Sequence, residues 1–162
     1  MANKAALASG VIDMLKKDHK KVKALFDQFE EAEGREQVEI AKTAIRELEI
    51  HAELEEKLIY PAIRAVLDEK ELMNEALEEH HLVHVLIKEL KKLKPSDEKF
   101  QAKFCVLGEL VKHHVKEEEG EMLPKAEESD LDWESLEAKV MTAREALMNK
   151  SSRTRQVAAA HQ

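Results

Sequence analysis

Proline and glycine are scarce in this chain, three and four residues among 162. Segments with the β-branched alternation of strands are few, so the pattern and the punctuation of a sheet are both missing. A single cysteine, Cys105, excludes an intrachain disulfide and agrees with a reducing compartment. Its neighbours Phe104 and Val106 suit a packed thiol. No apolar run is long enough to span a bilayer, and the mildly apolar stretch from Ala5 to Ile12 is too weak for a signal-peptide core. Positive charge is in deficit, with 26 Lys and Arg against 34 Asp and Glu and a formal net charge of −8. The clustered basic face of a nucleic-acid binder is therefore not expected. These absences describe a cytoplasmic protein with no membrane span and no nucleic-acid partner, in which the sequon Asn149-Lys150-Ser151 carries no meaning without export.

What remains is rich in Ala, Glu, Lys and Leu, with 37% charged residues, and that composition favours long amphipathic helices. Ser9 is a suitable N-cap for a first helix ending near Gly34, where a left-handed residue fits. A second helix starts near Arg35 or Glu36 and runs to Tyr60-Pro61, where the proline should kink or end it. A third spans about Glu69 to Lys94. Ser96 or Asp97 caps a fourth that runs toward Gly120 and Pro124. Short connections make these four antiparallel neighbours, an all-α up-down-up-down four-helix bundle. Asp132 caps an additional C-terminal helix carrying Leu136, Val140 and Leu147, expected to lie across the bundle. Residues 150–162, including His161, have no periodic stripe and are expected to fray as a flexible tail.

Each of the four bundle helices interrupts its own apolar stripe with metal-competent side chains. His19 fills the gap in the series Ile12, Leu15, Val22, Phe26, Phe29. His51 and Glu55 follow Ile40, Ala44 and Leu48 and precede Ile59 and Ala62. His80 and His84 stand in the series Met73, Leu77, Ile87, and His114 and Glu118 complete Phe100, Phe104, Leu107, Val111. Residues four apart share a helix face, so His51/Glu55, His80/His84 and His114/Glu118 can each chelate from one helix. Seven such groups on core-facing positions, with no Lys or Arg on the stripes to balance the glutamates, would be costly to bury without a cation. An internal repeat doubles the pattern. His51 and Glu55 precede Pro61 at the intervals by which His114 and Glu118 precede Pro124, and Asp18-His19 through Phe26 aligns with Glu79-His80 through Ile87. Two ions side by side explain that duplication.

Helical phase separates near candidates. His81 is rotated by about 100° from His80, and His113 is displaced likewise from His114; both are expected to be structural or solvent-facing. Glu56, Glu117 and Glu119 are off the stripe for the same reason, available to orient ligand imidazoles through ring N–H bonds. Tyr60, beside a proline, reads as packing whose phenol still needs a partner.

The stretches Asp18-His19 with Val22 to Phe26, His51-x3-Glu55 to Tyr60-Pro61, Glu79-His80 with Val83 to Ile87, and His114-x3-Glu118 to Pro124 resemble the hemerythrin family, in particular bacterial hemerythrin-like HHE cation-binding domains. The resemblance covers about residues 11–126 and implies a four-helix bundle, taken as residues 1–126, with the accessory helix (127–149) and the tail (150–162) read from the pattern beyond it. It also implies a non-haem di-iron centre, two Fe ions with an oxo or hydroxo bridge, held by His19, His51, Glu55, His80, His84, His114 and Glu118. Five imidazoles and two shared carboxylates would leave about one of twelve octahedral positions open. Dioxygen, or a similar small ligand such as peroxide, nitric oxide or an azide-like anion, is the expected partner, for a monomer or weak homo-oligomer. The Glu-x-x-His motif of ferritin-like oxidases occurs only as Glu78-x-x-His81, off the stripe. Binding or sensing of oxygen is accordingly expected ahead of catalase-like peroxide or nitric-oxide chemistry, or of iron storage and sensing.

Overall fold

Two prolines shape the long rods of this protein as much as the apolar stripes do. The computed structural model describes the backbone of residues 4–161 and side chains from residue 10, and among the described residues there is no strand. Five rods follow one another. They are α1 (Lys4–Glu31); α2 (Gly34–Leu54), continuing through a π-helical turn (Glu55–Ile59) into α3 (Tyr60–Val66); α4 (Lys70–Lys92); α5 (Glu98–Glu117), continuing through a second π turn (Glu118–Met122) into α6 (Leu123–Glu128); and α7 (Trp133–Ala160). The first four rods make the up-down-up-down bundle, with α1 against α2 and α5 and α4 against α5, while α7 packs on α1 and α2.

Local chemistry explains most of the ends. Gly34, at φ 56°, supplies the left-handed turn between α1 and α2. Asp97 accepts from the Lys99 N–H at 2.9 Å and Asp132 from the Ser135 N–H at 3.1 Å, capping α5 and α7. Ser9 is not a cap, because α1 already starts at Lys4 and runs through residue 9; the preceding alanines extend the helix by propensity. Residues 150–160 are likewise helical rather than a tail without regular structure. Their Arg, Gln and Ala sustain a helix locally, although the side chains beyond Ser152 lie exposed.

The prolines neither end the second rod nor the fourth. Pro61 has no N–H to offer the carbonyl four residues back, and just ahead of it the bonding shifts register: the Tyr60 N–H donates to the Glu55 carbonyl, five residues back. Leu123 does the same to Glu118 ahead of Pro124. Such a wide turn inserts one residue into the helical phase. It brings Tyr60 and Leu123, each 2% exposed, onto the inner face beside Glu55 and Glu118.

The core is two apolar clusters rather than one. Leu15, Leu54, Ile59, Ile63, Met73, Leu123 and Trp133 belong to one, and Val22, Phe26, Phe29, Leu48, Phe104 and Leu107 to the other. In the second, the Phe104 ring lies 4.8 Å from Phe26 and 4.2 Å from Phe29, centroid to centroid. Gly108 lets α5 approach α1 there, since a Cβ at that position would sit 2.8 Å from the Phe26 ring. Between the clusters along the rods lie buried polar residues, Asp18, His19, His51, Glu55, His80, His114 and Glu118.

Candidate metal centre

Glu55 and Glu118 stand at the middle of this polar layer, 0% and 1% exposed, and each faces imidazoles from both halves of the repeat. Glu55 Oε1 is 2.6 Å from His51 Nε2 and 4.0 Å from His19 Nε2, while its Oε2 is 3.0 Å from His80 Nε2 and 4.0 Å from His114 Nε2. Glu118 Oε1 is 3.4 Å from His19 Nε2, and Oε2 is 3.1 Å from His114 Nε2. The ring nitrogens themselves pair, His19 with His51 at 3.1 Å and His80 with His114 at 3.1 Å. Two donor groups result, His19/His51/Glu55/Glu118 and Glu55/His80/His114/Glu118, with the atoms of each within 4.8 Å of one another. Both carboxylates are common to the two groups.

An outer ring of carboxylates fixes how the imidazoles point. Nδ1 of His51 lies 3.0 Å from Asp18, that of His19 3.0 Å from Glu119, that of His80 3.1 Å from Glu56 and that of His114 2.9 Å from Glu79. A carboxylate can only accept, so Nδ1–H donates outward at all four rings and Nε2 faces inward. Each orienting acid is the chain neighbour of one inner residue and serves another on a different rod. Asp18 adjoins His19 and reaches His51; Glu56 adjoins Glu55 and reaches His80.

This arrangement leaves the inner atoms without protons to share. With every Nδ1–H committed outward, neutral rings present Nε2 lone pairs to carboxylate lone pairs, and both oxygens of Glu55 and Oε1 of Glu118 are buried with no hydrogen-bond donor. Uncompensated, such burial costs several kcal/mol per ion. A cation in each group satisfies nitrogen and oxygen together, and an imidazole-rich set with bridging carboxylates suits iron, manganese or zinc. In the metal-free protein the remedy is a second proton on the rings. Burial opposes that charge, yet the bonds from Glu118 and Glu55 outweigh it and raise His19 to about 9. Burial is likewise overcome at His114 by its bonds to Glu118 and Glu79, to about 10. His51 and His80 are raised in the same way. Burial raises Glu55, but the neighbouring imidazolium charge and hydrogen bonds hold it well below its usual range.

Of the seven residues singled out by helical phase, six meet in these two groups, and His84 stands beside them in a further group with Glu56 and His80. The buried series on α4 is Met73, Ala76, His80, Val83, Ile87 and Leu90, which shares Met73, His80 and Ile87 with the expected series but passes through 76 and 83 rather than 77 and 84. His84 is left at the flank, its side chain 43% exposed and its Nε2 2.8 Å from Glu56 Oε2. Tyr60 takes a place inside. Its hydroxyl donates to Glu118 Oε2 and is 3.1 and 3.2 Å from Nε2 of His114 and His80. Burial and the charges of Glu55 and Glu118 raise its pKa well above the ordinary value, which keeps it a neutral phenol. Helical spacing from Glu55 points to Ile59; only the π turn brings Tyr60 alongside. His81 is exposed, and His113 lies outside, 3.5 Å from Glu79 and 3.2 Å from Glu117. Asp18 and Glu79 were legible only as acids preceding a histidine in both repeats.

The fold and site define a helical-bundle protein built to hold cations between carboxylates and imidazoles. The family model for the hemerythrin HHE cation binding domain matches residues 10–126, and the chain belongs to that family. A crystal structure of a hemerythrin HHE cation binding domain-containing protein from Mycobacterium kansasii is similar at 25% identity and TM-score 0.67, over 93% of this chain and 92% of that one. A protein of Nostoc sp. named DNA nickase is 29% identical over 108 residues, 66% of this chain but 30% of the nickase. This chain therefore spans less than a third of that relative.

The sign of the pH dependence follows from the raised imidazoles. Their folded pKa values lie above the unfolded value of 6.5, to about 9 for His19 and about 10 for His114, so their contribution is full below 6.5 and lost as pH rises through 9 to 10. Metal-free protein should therefore melt at progressively lower temperature across that interval, and cation uptake near pH 7 should release protons. Calorimetric melting at stepped pH and titration in two buffers of different ionisation enthalpy check this; melting temperatures that rise over the interval, with no proton release, would show the rings to be neutral.

Proposed function

We propose that this protein is a non-haem di-iron protein whose centre binds dioxygen or a similarly small ligand, for oxygen binding or sensing. The observation that carries it is the pair of four-donor groups sharing Glu55 and Glu118. Two irons there would supply Lewis acidity and a store of electrons for a small ligand. The chain's own groups do the rest. His19 and His51 would hold one ion and His80 and His114 the other, with Glu55 and Glu118 common to both groups. His84, placed on Glu56, steadies the acid that orients His80. With four converging imidazoles rather than five, about two of twelve octahedral positions are open before Tyr60 is considered.

A small crevice lies beside His114 and Glu118, lined by Leu72, Ala76, Glu79, Glu117 and Met122. Among the described residues no helix is long and apolar enough to cross a membrane. The net charge of −8 favours a small uncharged ligand over a nucleic acid, whose binding needs a basic face. Full chain reconstituted with Fe²⁺ under anaerobic conditions should hold two irons. It should change its visible spectrum on mixing with O₂ and revert when O₂ is withdrawn. His80→Ala and Glu118→Ala should lose the paired centre, with His81→Ala as control. Irreversible oxidation at first contact with O₂ would end the oxygen-binding reading.

One observation favours a second reading, peroxide or nitric-oxide turnover. Tyr60 holds a proton within the centre, where a general acid would stand. If peroxide is turned over, Tyr60→Phe should release oxygen from it about 10²- to 10⁴-fold more slowly at unchanged iron content. Absence of turnover by the unaltered protein would reject this reading.

A further inference from the structure

Helix α7 lies beyond the residues matched by the family model, yet one of its side chains reaches the carboxylate ring around the centre. Arg144 Nη1 and Nη2 donate to Asp18 Oδ2 and Oδ1 at 2.8 and 2.7 Å, a bidentate pair. The same Oδ2 accepts the Nδ1–H of His51 at 3.0 Å. Asp18 is 7% exposed and the Arg144 side chain 22%, so water screens the pair little. The other three orienting acids are held differently. Glu56 and Glu79 meet second imidazoles, from His84 and His113, and among the four, within the described residues, only Asp18 is gripped by a guanidinium. The buried anchors of α7, Trp133, Leu136 and Val140, all lie in its first part. Beyond them the helix is attached through Arg144 and the half-buried Ala143 and Leu147.

We propose that Arg144 is a positioning residue that couples the docking of α7 to cation binding at the His19/His51 half of the centre. The guanidinium fork holds Asp18 in the rotamer whose Oδ2 meets His51 Nδ1, and that bond turns His51 Nε2 toward Glu55. Without the fork, Asp18 is a buried carboxylate with one partner, free to turn, and the His51 ring loses its stop. The reverse influence follows. A cation on His51 Nε2 polarises the Nδ1–H, strengthens its bond to Asp18 and settles the acid that Arg144 grips. Coupling between two equilibria is reciprocal, so whatever the docked helix adds to cation affinity, the bound cation returns to the docked helix. Helix α7 thereby carries the occupancy of a buried centre to the surface of the bundle.

This coupling rests on the reading of the site as a two-cation centre, and the test separates the two. Zinc, which has no redox chemistry, is titrated into full-length metal-free protein, Arg144→Ala and Arg144→Gln, and hydrogen–deuterium exchange is followed with and without the ion. The unaltered protein should bind two zinc ions and exchange more slowly over residues 133–148 when loaded. Arg144→Ala should keep the zinc-dependent slowing in α4 and α5, lose it in α7, and bind one of the two ions about 10- to 100-fold more weakly. Arg144→Gln, which keeps most of the stem but not the charge or the fork, should behave alike and carries the comparison if the alanine variant does not fold. Two zinc ions bound with no change in α7, or either variant matching the unaltered protein in affinity and exchange, overturns the coupling while leaving the centre standing. No zinc bound by the unaltered protein overturns both.

Discussion

Glu55 and Glu118 lie at the centre of the bundle with oxygens 2.6 to 4.0 Å from imidazole nitrogens, and those nitrogens have no proton to give once the outer acids hold the opposite face of each ring. Lone pairs opposed in a dry interior are unfavourable, and only charge between them, protons or metal ions, relieves the contact. Cations relieve it with the rings in the tautomer the structure already enforces. Protons require the rings to be charged inside a low-dielectric core, a state sustained by the two inner carboxylates together with the orienting acids.

Much of the architecture serves that contact. The polar layer divides the apolar core into two clusters, so packing on either side fixes the height of each ligand-bearing segment along the rods. Ring orientation comes from acids on other rods, which makes the bundle's assembly and the centre's geometry one event. The π turns start at the two glutamates themselves, and each brings a second residue beside its glutamate. Here the repeat breaks. Tyr60 brings a hydroxyl to the centre, whereas the matching Leu123 belongs to the apolar cluster, which makes the centre chemically unequal despite its near two-fold arrangement of donors. Asp18 and its guanidinium add a second inequality, at the opposite half.

The bundle was readable because its stripes are long and its rods are broken only briefly, at Gly34, at residues 67–69 and at the loops capped by Asp97 and Asp132. His19, His51, Glu55, His80, His114 and Glu118 were readable because each fills a gap in such a stripe. His84 shows the limit of that reasoning: Met73, His80 and Ile87 fit two series equally well, and only packing against the neighbouring rods selects the one through Val83. Tyr60 was hidden for a different reason, since its inward place depends on a register shift that uniform helical spacing does not contain. Asp18 and Glu79 act across helices, and Arg144 across 126 positions of the chain, distances at which periodicity says nothing. Segment 150–160 shows that a helix without a buried face leaves no stripe to read.

The most direct test of the central claim is the position of bound metal. Crystals of iron-loaded protein, measured at the iron absorption edge, should show two anomalous peaks inside the bundle, one beside His19 and His51 and one beside His80 and His114, with Glu55 and Glu118 each lying between them. A single peak, or iron only at the outer group of Glu79, His113 and Glu117, would contradict a shared two-cation centre.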